Sequence, residues 1–207
     1  YARSSALADT INLTPLVLML DEPETWLHPS AQLKLGEALS KIGNREQVFI
    51  VTHSPYLIRK FDHNAHLLTV LVGQGVGRRV DMSTQFGIFG LGEPTWGEIN
   101  YRAFNVCSND FHNELYGYVQ RHLESQKGDG KFATEKEVDS YLESKGLKKD
   151  WDWARTSTNK YKTTLPVFVR NSIHHPENNL NDEVTENELR ESTAALVSIV
   201  ESINRSS

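Results

Sequence analysis

Very little sulfur chemistry is open to this chain. A single cysteine, Cys107, excludes an internal disulfide and a cysteine zinc cluster, and suits a reducing, cytoplasmic setting. No apolar stretch approaches the ~20 residues that a membrane-spanning helix needs, so no membrane role is expected. Positive charge is not in excess either. The formal net charge of -5 gives no general drive toward nucleic acid and leaves that task to a local basic patch. A Gly-x-x-x-x-Gly-Lys-Ser/Thr loop is also missing, so no segment of the sequence is built to cradle β- and γ-phosphates. What remains is an ordinary core-forming composition, 38% hydrophobic and 24% charged, enough for one or two compact units in 207 residues.

The most informative stretch is Leu16-Val17-Leu18-Met19-Leu20-Asp21-Glu22-Pro23. Five apolar residues end in two carboxylates and a proline, which reads as a fully buried strand of a parallel sheet. Ligands of open α/β sheets sit beyond the carboxyl ends of strands. Acids at the edge of an apolar core are costly unless they hold a cation or move a proton. A second run, Val48-Phe49-Ile50-Val51, ends in Thr52-His53-Ser54-Pro55. Between the runs, Leu33, Leu35, Ala38, Leu39 and Ile42 recur mainly at three and four, predicting an amphipathic helix over 29–42. Pro29 suits its first position and Gly43 its end. Strand, helix, strand forms a βαβ unit with both strands parallel in one sheet. Asp21, Glu22 and His53 are thereby expected on one rim.

Asp21-Glu22-Pro23-Glu24-Thr25-Trp26-Leu27-His28-Pro29, followed by Thr52-His53-Ser54-Pro55-Tyr56-Leu57-Ile58, resembles the second half of an ABC-type ATPase head. The closest resemblance is to the RecF/SMC/OLD-like, AAA-15-like branch of bacterial anti-phage defence ATPases. The resemblance implies a Walker B pair in which Asp21 holds magnesium through water and Glu22 is the general base. It makes His53 the switch residue at the γ-phosphate and turns Glu24 to His28 toward nucleotide and the opposite protomer. His28 equally suits a cap for the following helix. ATP and Mg2+ are the cofactors so implied, and ATP sandwiched between two heads implies a homodimer or higher oligomer. The Leu-Ser-Gly-Gly-type signature that the family carries before Walker B is absent. With Ala2 to Thr10 reading as a helix already under way, the chain is expected to be the C-terminal part of a longer ATPase; a degenerate homologue without a P-loop is the alternative.

Beyond His53 the pattern predicts a helical turn over 54–61, then strands over 66–72 and 78–82 about a Gly73-Gln74-Gly75 turn. A Toprim nuclease, common at this place in OLD-type relatives, is disfavoured. Its Asp-x-Asp has a match only in Asp150-Trp151-Asp152, with no apolar strand ahead of it. Residues 84–105, interrupted by Gly87, Gly90, Gly92, Pro94 and Gly97, read as a linker. Helices are then predicted over 110–125, from Thr134 through the box Thr134-x-x-Glu137, from Pro166, and over 186–203. The fold expected is therefore α/β: a partial ATPase head over 1–83 and a mainly α-helical partner-docking domain over 106–207.

Two further clusters stand out. Arg170-Asn171-Ser172-Ile173-His174-His175-Pro176-Glu177-Asn178 resembles the active-site pattern of HEPN ribonucleases, which would make Arg170, Asn171 and His175 catalytic. The same ending resembles that of Septu-type defence ATPases, including retron-associated ones, whose nuclease activity is assigned to an HNH partner. Structural or interface use is the plainer account, since Arg and His complement a helix C-terminus. Lys148, Lys149, Arg155, Lys160 and Lys162 interleave with Trp151 and Trp153, a mixture able to contact nucleic acid or simply to form a solvated loop over buried tryptophans. The function expected is an ATP-gated scaffold controlling an HNH-type nuclease, with nucleic acid reached through the complex. A ribonuclease regulated by its own ATPase and a RecF-like DNA-repair ATPase are the alternatives.

Overall fold

The computed structural model describes residues 17–61, 70–73, 78–81, 86–90, 93–128 and 130–206. The helix expected over 2–10 and the residues at 62–69, 74–77 and 82–85 lie outside these. The chain divides into two compact units, Tyr1–Leu67 and Leu68–Ser207. This division falls ahead of the 84–105 stretch.

In the first unit, β1 (Val17–Asp21) pairs in parallel with β2 (Gln47–Val51), Val17 opposite Gln47 and Asp21 opposite Val51. The connection is α1 (Pro29–Gly43), which packs on β2. It starts where the sequence predicts, with Pro29 at its first turn and the His28 side chain accepting from Ser30 N at 3.4 Å. Next comes α2 (Pro55–Arg59), capped by the Ser54 hydroxyl, which accepts from the backbone of Tyr56 and Leu57. The two helices approach closely at Gly36, where a Cβ would stand 3.0 Å from Lys60 Cβ. Leu39, Leu57 and Ile58 form the buried centre. The fully buried strand read from Leu16 to Leu20 is not what the structure shows. Side chains alternate, and Met19 on β1 and Phe49 on β2, which are opposite each other in register, are 77% and 51% exposed. A parallel pair places one set of alternate residues on each face, and the set formed by Val17, Met19, Phe49 and Val51 is exposed.

The second unit contains the antiparallel hairpin of β3 (Val70–Gly73) and β4 (Arg78–Asp81) and a helical body. The body runs α3 (Trp96–Phe104), α4 (Asn109–Lys127), α5 (Glu135–Ser144), β5 (Trp151–Ala154), β6 (Lys160–Thr163), α6 (Leu165–His174) and α7 (Glu186–Ser206). Its core gathers Phe111, Leu115 and Val119 from α4, Val138 and Leu142 from α5, Val167 from α6, and Leu196 and Val200 from α7. The box at the head of α5 is complete: Thr134 Oγ1 accepts from Glu137 N, and Glu137 Oε2 accepts from Thr134 N at 2.7 Å. Two elements differ from the sequence reading. Within the Gly- and Pro-rich stretch, Trp96–Phe104 is helical, with Ile99 and Glu98 fully buried. Thr95 caps it, and the Glu98 carboxylate both accepts from Ile88 N at 2.9 Å and pairs with Arg102 at 3.2 Å. Likewise the tryptophan-rich stretch is a β-hairpin, Trp151 opposite Thr163, whose Trp151 and Trp153 rings pack against Phe168 of α6.

Candidate functional site

The carboxyl ends of β1 and β2 lie side by side, and the chain leaves each through a tight turn. Glu22 sits in the left-handed region (φ 42°) and donates its backbone N–H to Val51 O at 2.8 Å, which extends the pairing one residue beyond Asp21. Non-glycine residues enter that region rarely and often at functional sites. From this position the Glu22 carboxylate reaches across the rim, with Oε1 3.4 Å from His53 Nε2. Asp21 is exposed beside it. The acidic doublet and the imidazole, 31 positions apart in sequence for Glu22 and His53, are thus brought together.

Glu24 lies elsewhere than the resemblance suggests. It points inward, 7% exposed, where Oε1 accepts from the Thr52 hydroxyl and from His53 N at 3.2 Å. Thr52 Oγ1 accepts in turn from Ser54 N at 2.9 Å. The Ser54 hydroxyl donates to Gln32 Oε1 at 2.5 Å, and the Gln32 amide donates to Leu27 O at 2.9 Å. This chain of polar contacts closes a loop between the turn after β1, α1 and the head of α2, and it fixes the backbone that carries His53. Glu24, Thr52, Ser54 and Gln32 are the residues that sequence reasoning missed as positioning groups; only the Ser54-Pro55 helix start signalled any of them. His28 stays on the exterior as the cap of α1, its Nδ1 3.0 Å from Ser30 Oγ. Trp26 occupies the crest of the turn with φ 72° and 98% of its surface exposed.

The rim suits an ion that keeps its waters. Among the described residues no three acidic, histidine or cysteine side chains converge as a closed metal cage. Magnesium seldom needs one: it is held by one or two carboxylates together with substrate phosphates and water. Asp21 and Glu22, both exposed at the strand end, fit that pattern. Glu24, already committed to the Thr52–His53 turn, does not.

In the second unit, Arg170 and Asn171 of α6 and His175 just beyond it all line one cleft of about 1020 Å³. Arg170 lies over the Tyr116 ring at 5.6 Å, donates to Asn171 Oδ1 at 3.1 Å and stands 3.8 Å from Glu135. His175 ends the helix, its N–H donating to Asn171 O at 2.9 Å and its ring 3.5 Å from Glu177. His174 is not among the residues facing the cleft. Its imidazole is pushed down from the ordinary value by desolvation and then by the charges of Arg170 and His175.

Comparison with known proteins agrees with the first unit. Residues 2–58 match the family model described as an AAA ATPase domain. The chain is 34% identical over 86 residues to the phosphate import ATP-binding protein PstB 1 of Synechococcus sp. (strain JA-3-3Ab), covering 40% of this chain and 31% of that protein. It is 21% identical over 171 residues to the ABC multidrug transporter MDR5 of Trichophyton rubrum, covering 82% of this chain and 12% of that one. The chain therefore spans less than a third of the length of either relative. Residues 2–58 are thus similar to an AAA ATPase domain, and stretches of the chain are similar to an ATP-binding protein and to an ABC transporter.

Proposed function

We propose that this chain belongs to the ATP-hydrolysing component of a bacterial anti-phage defence complex, a dimeric scaffold in which ATP controls an associated HNH-type nuclease. The observation that carries the ATPase part is the 3.4 Å approach of His53 Nε2 to Glu22 Oε1 on the rim where β1 and β2 end. In this reading Glu22 accepts a proton from the attacking water, and its left-handed backbone holds the carboxylate at the rim. His53 orients Glu22 from one side and reaches the terminal phosphate from the other, on a turn that Glu24 braces. Asp21 is the carboxylate for hydrated magnesium, whose chemical contribution is to neutralise charge on the transferring phosphoryl group.

Glu22→Gln keeps the shape of the side chain and removes its basicity. Phosphate release by the ATPase-competent protein is expected to fall about 100-fold or more, the usual scale of general-base assistance. Unchanged turnover in that variant would remove Glu22 from the role. The dimer, the nuclease partner and the defence setting rest on the Septu-like ending around Arg170 to Asn178 and are tested by whether an HNH protein co-purifies in an ATP-dependent manner. A second reading, a ribonuclease acting through Arg170, Asn171 and His175, is favoured by one observation: all three line the same cleft. RNA cleavage by the purified chain, lost in Arg170→Ala, would favour it over the scaffold.

A further inference from the structure

The cleft of the second unit is walled by the head of α5, the β5–β6 hairpin and the end of α6. Cations outnumber acids on its lining: Lys136, Lys149, Arg155, Lys162 and Arg170 against Glu135, Asp139 and Glu177. Internal pairing consumes part of this charge. Lys149 is held by Glu143 at 2.8 Å and Asp139 at 3.3 Å, Arg170 faces Glu135, and Lys162 stands 4.0 Å from Asp152. Among the described residues Lys136 and Arg155 form no ion pair, and both are exposed. The cleft is thus locally positive on a chain whose net charge is -5.

Its floor holds an unanswered donor. Asn171 is 1% exposed, its Oδ1 accepts from Arg170, and its Nδ2 finds no acceptor. A buried amide left this way is costly unless a ligand or water completes it. Aromatic surface lies beside it. The half-exposed His175 ring is backed by Trp153 at 6.4 Å, and Tyr161, held by its hydroxyl to Glu135 at 3.0 Å, also lines the cleft.

We propose that this cleft binds a nucleoside phosphate, presented by a single-stranded RNA or as a free nucleotide. Arg155, Lys136 and the free edge of Arg170 take the phosphate, for which guanidinium geometry is suited. Asn171 donates into the floor, and His175 supplies a face on which a base stacks. Glu177 accepts from a ribose hydroxyl or an exocyclic amine, a task that a purely anionic peptide could not give it. The inference concerns binding alone: it shares its cleft with the ribonuclease reading but needs no cleavage, and it is independent of ATP hydrolysis in the first unit.

The test uses the whole 207-residue chain and a fluorescein-labelled oligouridylate of about eight nucleotides, within the ordinary site size for single strands. Binding is followed by anisotropy against salt, with uridine monophosphate, inorganic phosphate and polyglutamate as competitors. Arg155→Gln is expected to weaken the strand about tenfold and to lower the salt slope by roughly one. Asn171→Ala should weaken binding at every salt concentration. Glu22→Gln should leave binding unchanged, which separates this site from the ATPase rim. Should uridine monophosphate bind and the strand not, with the same dependence on Arg155, the free nucleotide is the ligand. Absence of binding by both, binding indifferent to Arg155→Gln and Lys136→Gln in protein of unchanged circular dichroism, or displacement by polyglutamate but not by uridine monophosphate would each overturn the proposal.

Discussion

Single side chains in this protein are placed by groups far away in sequence, and two of them show what that costs. His112 of α4 is fully buried, its Nε2 2.8 Å from Ser192 Oγ of α7. Burial pushes its imidazole down to about 4, with the nearby His174 adding in the same direction against a raising contribution from the Asn113 side chain. The folded chain therefore keeps His112 neutral where the unfolded chain, titrating near the ordinary 6.5, already binds a proton. Protons then favour the unfolded state, so stability is full above the ordinary value and falls as pH drops through the window down to about 4. The loss should be on the order of 3 kcal/mol across that window. Urea unfolding at about pH 7 and about pH 5 should show it, and His112→Gln should flatten the difference; an equally steep dependence in that variant would assign the effect to other groups. Glu24 is the second case. Nothing in its sequence neighbourhood says whether it faces out, as its place in the motif suggests, or in, as Thr52 and His53 require. Its orientation follows from a hydrogen-bonding partner 28 positions on, which periodicity does not report.

At the scale of elements, local signals that do not depend on distant partners were legible. The amphipathic spacing behind α1, the Pro29 start, and the Thr134–Glu137 box all mark real boundaries, because capping and helical periodicity are settled within a turn. α3 was hidden by glycine and proline density upstream, and its second residue is itself a glycine. That glycine has a tertiary cause. A Cβ on Gly97 would lie 2.7 Å from Phe111 Cβ and 2.9 Å from Phe111 Cα, where α3 crosses α4. Within a helix, glycine to alanine ordinarily gains up to ~1 kcal/mol. Here the sign should reverse, because the close atoms include backbone and Phe111 is fully buried. Gly97→Ala is expected to destabilise the second unit by about 1–3 kcal/mol, the scale of overpacking a core, and thermal melting would reveal it as a lower midpoint. A raised midpoint would mean the helices separate freely. The β5–β6 hairpin was obscured differently: strands of four residues carrying Lys160, Tyr161, Lys162 and Thr163 offer too short and too polar an alternation to distinguish from a loop.

For the whole molecule the two units are unequal in closure. Among the described residues the second gathers its core from its own, Ile88 through Ile203, with α4 against α7 and α6. Residues 86–206 made alone should fold, showing one cooperative urea transition by circular dichroism and by tryptophan emission; non-coincident transitions would indicate that its stability is borrowed. The first unit leaves Val17, Met19, Phe49 and Val51 exposed on its strands, a patch of the kind that marks an interaction surface. The parallel pairing and the meeting of Glu22 with His53 follow from strand, helix and strand alone. How each sheet face is covered does not, because burial is decided by what packs there and not by the strand itself.

Of the four tryptophans in the chain, Trp26 stands alone within residues 1–67, at the crest of the turn that begins with Glu22. Its indole is almost wholly bathed in solvent, whereas Trp153 is nearly enclosed. Iodide should therefore quench the Trp26 emission most and the Trp153 emission least, and the most strongly quenched light originates four positions from the carboxylate that faces His53. The protein thus carries its own optical probe: any molecule that settles over that crest will shield the indole and shift its colour toward the blue, with no label attached.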